Sequence, residues 1–563
     1  MIGTVPGLAT GPNHPPSFQS VQLSPLRACT CAFLFALGLA GLALLNNVRQ
    51  SESLLWSFLG AAGALLVWAA ALFGAAARVG RRFRLDIVLR KQHYLQACAQ
   101  GSVLLYWGWF ARDVYAATPL IGAQLVFAYG VEMLLTWSRG DTYRLGFAPF
   151  PVVFSINLFL WFRPEWFHLQ FLMVAFGFAA KEMIHWHNEG RSTHIFNPSA
   201  FTLALFSIAL LLTGRSDITS GQTIAITQFY PPHMYLMLFL IGLPGQLLFG
   251  VTSMTMAAVV TTYLFGLLYF AATGVYFFYD SYIPIAVFLG MHLLFTDPST
   301  SPRTELGRLI FGALYGLSTI FLYYLLGRAG LPTFYDKLLQ VPLLNLSIKS
   351  IDRAARSDAL RRFDPAALGR SLSPIRRNLV YVSVWIIAFS MMSAAQGVGD
   401  HHPGQWLPFW RKACTERRRG ACDFLAARLS THCAGGSGWA CNEGGIVRLR
   451  LSESIEDGEQ AALADAMGSL ERGCALGFKP ACQNVLAMLE GNRLPESAPP
   501  TLEDYPIILR GSKQAISERN PSALYALACQ QGWSDACRRR ARSSDASVTI
   551  ANRNPLDFAD PLQ

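Results

Sequence analysis

Runs of apolar residues long enough to cross a bilayer, roughly 17 to 25 residues, recur along almost the whole chain. They lie near 28–46, 54–77, 97–117, 120–137, 146–163, 166–184, 196–213, 233–250, 253–274, 281–296 and 307–327, with a late one at 379–396. The third is interrupted by Arg112 and Asp113. Composition agrees with lipid as the solvent: 52% of the 563 residues are hydrophobic, only 14% are charged, and mean hydropathy is +0.32. A soluble globular chain carries about a quarter charged residues. Aromatics at 12%, with 13 tryptophans, suit belts at the two membrane surfaces. The fold class expected is all-α: a polytopic bundle of about 12–13 spans with an internal pseudo-repeat, followed by a small disulfide-linked helical-repeat domain.

The net charge of +11 is unevenly spread, with basic clusters at 78–91 and 353–377 between apolar runs. Such clusters mark cytoplasmic loops. Nucleic-acid binding is set aside, because the clusters lack a stacking platform or recognition motif. The basic 78–96 loop fixes the N-terminus inside, and puts 138–145 and 185–195 inside and 214–232 outside. Eleven spans would then leave 353–378 outside. A twelfth, polar-flanked crossing at 331–352 repairs the count, and everything after about Gln396 falls outside. The domain plan that follows is a disordered cytoplasmic tail (1–26), an extra transmembrane hairpin (27–77), a main membrane domain (78–352), a basic linker (353–378), a final span (379–397), an outer cysteine-rich domain (398–545) and a tail (546–563).

Cysteines test that plan independently. Three of eleven, Cys29, Cys31 and Cys98, lie in or near spans. The others pair as Cys414/Cys422, Cys433/Cys441, Cys474/Cys482 and Cys529/Cys537, each with seven residues between. That spacing suits a disulfide closing one helix onto the next across a tight turn. Zinc motifs usually put two to four residues between paired cysteines. Disulfides need an oxidising compartment, as the charge count requires. Cys422 pairing with Cys433 stays open. The units at 468–491 and 521–541 resemble cysteine-rich Sel1-like repeats over roughly 410–540, although the distances between pairs are uneven. Solenoids of that kind offer concave surfaces to protein partners.

Two segments of the membrane part share a design: "HIFNPSAFTLALF" (194–206) and "LFTDPSTSPRTELGRLIFGALYG" (294–316). Asn197-Pro198-Ser199 and Asp297-Pro298-Ser299 each predict a capped helix start, with unpaired N–H groups facing a site between two halves. A third segment, "DITSGQT" (217–223), occupies a polar gap. In their order and spacing these three segments resemble the NqrB/RnfD family of bacterial redox-driven membrane pumps, over about 80–352. "THIFNPSAF" and "ITQFYPPH" look closest to its UnbU-type branch.

The resemblance implies FMN carried through its phosphate on a threonine hydroxyl facing the periplasm. The acceptor motif is approximately D-x-x-S/T-G-A-T. Asp217, Ser220 and Gly221 match it, and Thr223 takes the acceptor position. Gln222 stands where the family has a small alanine, so covalent attachment turns on that residue. Noncovalent flavin in the same pocket is the other mode. The expected cofactor-binding residues are therefore Asp217, Ser220, Gly221, Thr223, Asn197 and Asp297.

Other candidates carry blander explanations. His185, His187, Glu189 and His194 fit no strong metal signature, and no metal is assigned. Glu132 is a candidate for ion coupling, whereas Lys181 and Glu182 are expected to snorkel outward. Gly242, Pro244 and Gly245 should break their helix. The function expected is electron transfer, in a redox subunit of the bacterial inner membrane. Its partners would be lipid, a periplasmic redox protein, other membrane subunits and a protein ligand of the Sel1-like domain, with no nucleic acid. The rivals are a small-solute transporter or channel, and a non-redox membrane scaffold with a degenerate flavin site.

Overall fold

A computed structural model describes residues 19–188, 191–368, 372–452, 459–490, 495–509 and 520–542. The expected tail at 546–563, most of that at 1–26, and Glu189 lie outside them. From its start the described chain forms strand β1 (Gln19–Leu23), helices α1 (Pro25–Leu42) and α2 (Glu52–Arg78), strand β2 (Phe83–Ile87), and helices α3 (Lys91–Phe110) and α4 (Thr118–Arg139). Strand β3 (Thr142–Leu145), α5 (Pro149–Asn157), α6 (His168–Met183), the strands β4 (His185–Asn188) and β5 (Arg191–His194), α7 (Pro198–Thr213) and α8 (Gly221–Thr227) follow. Next come α9 (Met234–Phe249), α10 (Thr252–Thr273), α11 (Ile285–Leu293), α12 (Glu305–Arg328), α13 (Val341–Ala355) and α14 (Pro374–Ala394). The C-terminal helices are α15 (Leu407–Thr415), α16 (Ala421–Ala434), α17 (Gly438–Ser452), α18 (Glu459–Ala475), α19 (Lys479–Leu489), α20 (Pro521–Gln530) and α21 (Ser534–Arg542). The chain divides into two compact units, one of Met1–Gln228, Met237–Val259 and Ala286–Ile386, the other of Phe229–Leu236, Val260–Ile285 and Ile387–Gln563.

Among the described residues six helices are long and apolar enough to cross a membrane: α1, α2, α4, α10, α12 and α14. Helices α7 and α9 are apolar but shorter. Three of the expected spans are only about half helical; in 331–352 the helix α13 starts only at Val341. In 146–163 the helix α5 stops at Asn157, and in 281–296 the helix α11 stops at Leu293.

A buried backbone that leaves a helix must find other partners, and here buried side-chain amides supply them. After α5, Gln228 Nε2 donates to the Leu158 carbonyl at 2.6 Å. Gln170 both donates to the Leu160 carbonyl (3.3 Å) and accepts from the Phe162 N–H (3.1 Å). After α11, Gln100 Nε2 donates to the Leu293 carbonyl (3.4 Å), Asn197 Nδ2 to that of Leu294 (2.9 Å) and Asn345 Nδ2 to that of Thr300 (3.2 Å).

The described chain is predominantly helical, as expected, with two small sheets added: β1 pairs antiparallel with β2, which runs parallel to β3, and β4 pairs with β5. Three further expectations are corrected. Gln19–Leu23, assigned to a disordered tail, is thereby ordered. Within "FRLDI" Phe83 and Asp86 are buried and Arg84 is exposed, so burial does not alternate strictly along this strand. Helix α9 runs through Pro244 unbroken. Proline inside an apolar helix is tolerated where neighbouring helices cover the freed carbonyl. Lys181 does not snorkel: its ammonium donates to Glu132 Oε1 at 2.6 Å, with Tyr143 Oη 3.4 Å from Oε2. An inward charge is stable only with such a partner.

In the second unit the four cysteine pairs are bonded as Cys414–Cys422, Cys433–Cys441, Cys474–Cys482 and Cys529–Cys537, with Cα separations of 4.6–4.7 Å. The Cys422–Cys433 alternative is thus excluded. Each bond joins the end of one helix to the start of the next. Each first helix closes with the same motif, in which the residue three after the first cysteine returns its N–H to that cysteine's carbonyl, at 2.9–3.0 Å. That position has positive φ every time: Gly436 at 95°, Gly477 at 83°, Gly532 at 89°, and Arg417 at 54°. A left-handed residue after a helix is the usual way to satisfy its last carbonyls.

The core of this unit joins the helical repeats to the loop after α10. Tyr279 stacks on Phe424 at 4.3 Å, Tyr276 lies 4.7 Å from Phe409, and His402 sits 4.3 Å from Tyr276 and 4.8 Å from Tyr282.

Candidate functional site

The Ser216–Gln228 loop is built onto the extended continuation of α5. Arg163 donates its N–H to the Ile218 carbonyl (3.0 Å) and Ser220 its N–H to that of Trp161 (2.8 Å), so 161–163 and 218–220 run as a two-stranded clasp. Tyr335 Oη reaches Ser216 Oγ at 3.1 Å. Gly221 is buried under the Phe334 ring, which a Cβ would overlap. Glycine at this place is a packing requirement.

With the loop held at both ends, α8 begins at Gly221 and lifts Gln222 and Thr223 into exposure. The Thr223 hydroxyl makes no hydrogen bond within the described residues, although its carbonyl accepts from Thr227 Oγ1 at 2.9 Å. Gln222 is equally free and turned to the outside. Asp217 is exposed and pairs with Arg215 at 3.6 Å, whose guanidinium lies 5.4 Å from the Trp166 ring centre. Thr223 lies in the first turn of that helix.

Asn197 and Asp297 lie elsewhere. They belong to one cluster at the opposite end of α7, whose sixteen residues measure about 24 Å. Asn197 caps α7, accepting from the Ser199 and Ala200 N–H groups at 3.1 and 3.2 Å. Asp297 accepts from the Ser299 N–H and Oγ, at 3.1 and 2.6 Å, but starts only a single turn at Pro298–Thr300. The long helix α12 begins later, capped by Thr304, whose N–H and hydroxyl both donate to Asp352 at 3.0 and 2.8 Å. The two Asx-Pro-Ser turns meet through His194, whose Nε2 is 3.7 Å from Asp297 Oδ2 and 3.3 Å from Ser299 Oγ. The six residues expected to bind one cofactor therefore form two separate groups. Both Asx side chains hold backbone; neither has its caps free for a ligand.

Sequence reasoning missed a buried amide network where α5 and α11 end. Gln124 and Asn157 exchange hydrogen bonds at 3.1 and 2.8 Å, Gln170 Nε2 donates to Gln124 Oε1 (3.2 Å), and Gln100 Nε2 donates to Ser155 Oγ (2.7 Å). All five are buried, and Gln100 Oε1 has no partner. Nearby on α9 and α11, neither end of the buried Gln246 amide has a partner among the described residues, nor has His292 Nε2; both side chains border Gly242. Glutamines scattered over separate apolar runs give no local pattern from which this network could be read.

Among the described residues no group of three His, Cys, Asp or Glu side chains could hold a metal ion. The β4–β5 hairpin sets His185 opposite His194. No family model, curated protein or solved structure matches the chain.

Proposed function

We propose that this chain is a membrane electron-transfer subunit similar to the NqrB/RnfD family, carrying FMN on the Ser216–Gln228 loop. Its thirteen crossings would sit in a bacterial inner membrane, with the N-terminus cytoplasmic. The loop and the Sel1-like repeats would face the periplasm. Electrons would pass between a membrane partner and a periplasmic redox protein. The observation that carries the reading is Thr223: an exposed, unpartnered hydroxyl at the position where the resemblance puts the phosphate acceptor.

FMN bound there would supply one- and two-electron transfer at its ring. This chain's part is to hold the acceptor still. The 161–163 clasp fixes the loop's first strand, Phe334 closes over Gly221, and Gln228 ties its far end to Leu158. Gln222 leaves the acceptor uncovered, which favours the covalent mode.

The test is coexpression with a flavin transferase, followed by a denaturing gel under ultraviolet light. A fluorescent band that is lost in Thr223→Ala supports the covalent site, and Gln222→Ala should strengthen it. A chain that shows no band and releases no flavin on heating is not a redox subunit.

The buried amide network favours a second reading, a pathway for a small neutral solute. Unpartnered polar atoms deep in an apolar bundle suit passage of a hydrogen-bonding molecule. Solute flux into liposomes, slowed by Gln246→Leu, would support it; flux equal to that of empty liposomes would end it.

A further inference from the structure

The second unit contains a groove already filled by a piece of its own chain. Residues 495–500, "PESAPP", form no helix or strand and lie across α17 and α19. They are held chiefly through main-chain atoms. Asn484 reads one residue twice: its Oδ1 accepts from the Glu496 N–H and its Nδ2 donates to the Glu496 carbonyl, both at 2.9 Å. Glu443 accepts from the Ala498 N–H at 3.2 Å, and Trp439 Nε1 donates to the Ala498 carbonyl at 2.8 Å. Among the described residues the one strap side chain that hydrogen-bonds these helices is Ser497, whose hydroxyl is shared between the two Glu443 oxygens at 2.7 and 2.8 Å and accepts from Arg411 at 3.3 Å, while Ala498 packs against the apolar core.

The reading groups are part of the helices, and they are braced from behind. Asn484 Nδ2 also donates to Asn442 Oδ1 at 2.8 Å, and Arg411 lies over the Trp439 ring at 5.4 Å. Asn442, Glu443 and Asn484 are all buried. The strap is exposed at Glu496, Ser497 and Pro499, half-buried at Pro495 and Ala498, and buried at Pro500.

We propose that this groove is a binding site for an extended Ser-Ala-Pro segment of a partner protein, and that residues 495–500 occupy it in cis until such a segment displaces them. Buried polar groups aimed at an alternating pattern of N–H and carbonyl recognise a peptide by its backbone, as an added strand does. They leave specificity to the one hydroxyl. Prolines keep both the strap and a competitor extended at low entropic cost. The site rests on the C-terminal helices alone and is independent of any flavin.

The test uses the full chain in nanodiscs with its disulfides intact, and a fluorescein-labelled peptide Pro-Glu-Ser-Ala-Pro-Pro-Thr read by anisotropy. Ser497→Ala weakens the strap and leaves the groove unchanged. This variant should bind the peptide roughly tenfold tighter than the wild type, the worth of a hydrogen bond to a charged group. The peptide with alanine in place of its serine should bind both chains roughly tenfold more weakly than the serine peptide. Adding Asn484→Ala should abolish binding. Equal binding by wild type and Ser497→Ala, or binding indifferent to Asn484, overturns the proposal. If Asn484→Ala fails to form its disulfides, hydrogen exchange on the wild type decides. Saturating peptide should strip protection from 495–498, and unchanged protection overturns the proposal equally.

Discussion

Gly221 lies so close to the Phe334 ring that even one methyl group has no space. Gly221→Ala should cost about 1–3 kcal/mol, the usual range for overpacking a filled site. Thermal unfolding measures that loss, and the gel assay should show weaker labelling at Thr223 in step with it. Arg417 poses the opposite case. It takes by necessity a left-handed conformation, φ 54°, that the three sister turns give to glycine. A side chain in that region costs roughly 1–2 kcal/mol, so Arg417→Gly should raise the unfolding midpoint.

His402 adds a pH dependence. Burial among aromatic rings pushes its imidazole down to about 4 from the model-peptide value of 6.5. The folded state thus favours the neutral ring. Its contribution is complete above pH 6.5 and drains away as pH falls toward 4, because the unfolded chain protonates first. Over that window roughly 3 kcal/mol is lost. His402→Phe should flatten the acid limb of a stability-against-pH curve measured on the second unit; an unchanged limb would assign it to other groups.

At the scale of elements, the two half-length helices depend on amides lent by distant segments. Gln170 is the most committed, serving both Leu160 and Phe162. Gln170→Leu orphans a buried carbonyl and a buried N–H together. It should cost roughly 2–5 kcal/mol, with Gln170→Glu intermediate because it keeps the acceptor for Phe162. This dependence also explains what sequence could and could not tell. Apolar length located the helices, because burial in lipid needs only composition. It could not locate their ends within 146–163 and 281–296, where the deciding partners, Gln228 and Asn197, lie far along the chain. The Asn197 cap was legible as a local three-residue pattern. Asp297 shares the pattern but starts only one turn, since Asp352 gathers the N–H groups of Arg303 and Thr304 and sets the helix start downstream. Cysteine spacing was legible for the opposite reason: each bond spans a single turn, so all its determinants are local.

For the whole molecule, the four disulfides confine their strength to the C-terminal helices. Each closes a loop of eight residues, worth about 2–3 kcal/mol by restricting the unfolded chain. Reduction should therefore unfold α15–α21 well before α1–α7, a difference that segment-resolved hydrogen exchange measures. Simultaneous loss of protection in both would contradict it. The second unit is also assembled from three stretches, 229–236, 260–285 and everything after 387. Tyr276 and Tyr279 leave the ribosome more than a hundred residues before Phe409 and Phe424, the rings that pack on them. During synthesis this aromatic loop must wait uncovered, and a chain truncated before α15 never covers it. A later-made stretch of chain thus finishes a surface laid down well before it, and any chaperone or protease meeting the nascent chain would find the unfinished loop there.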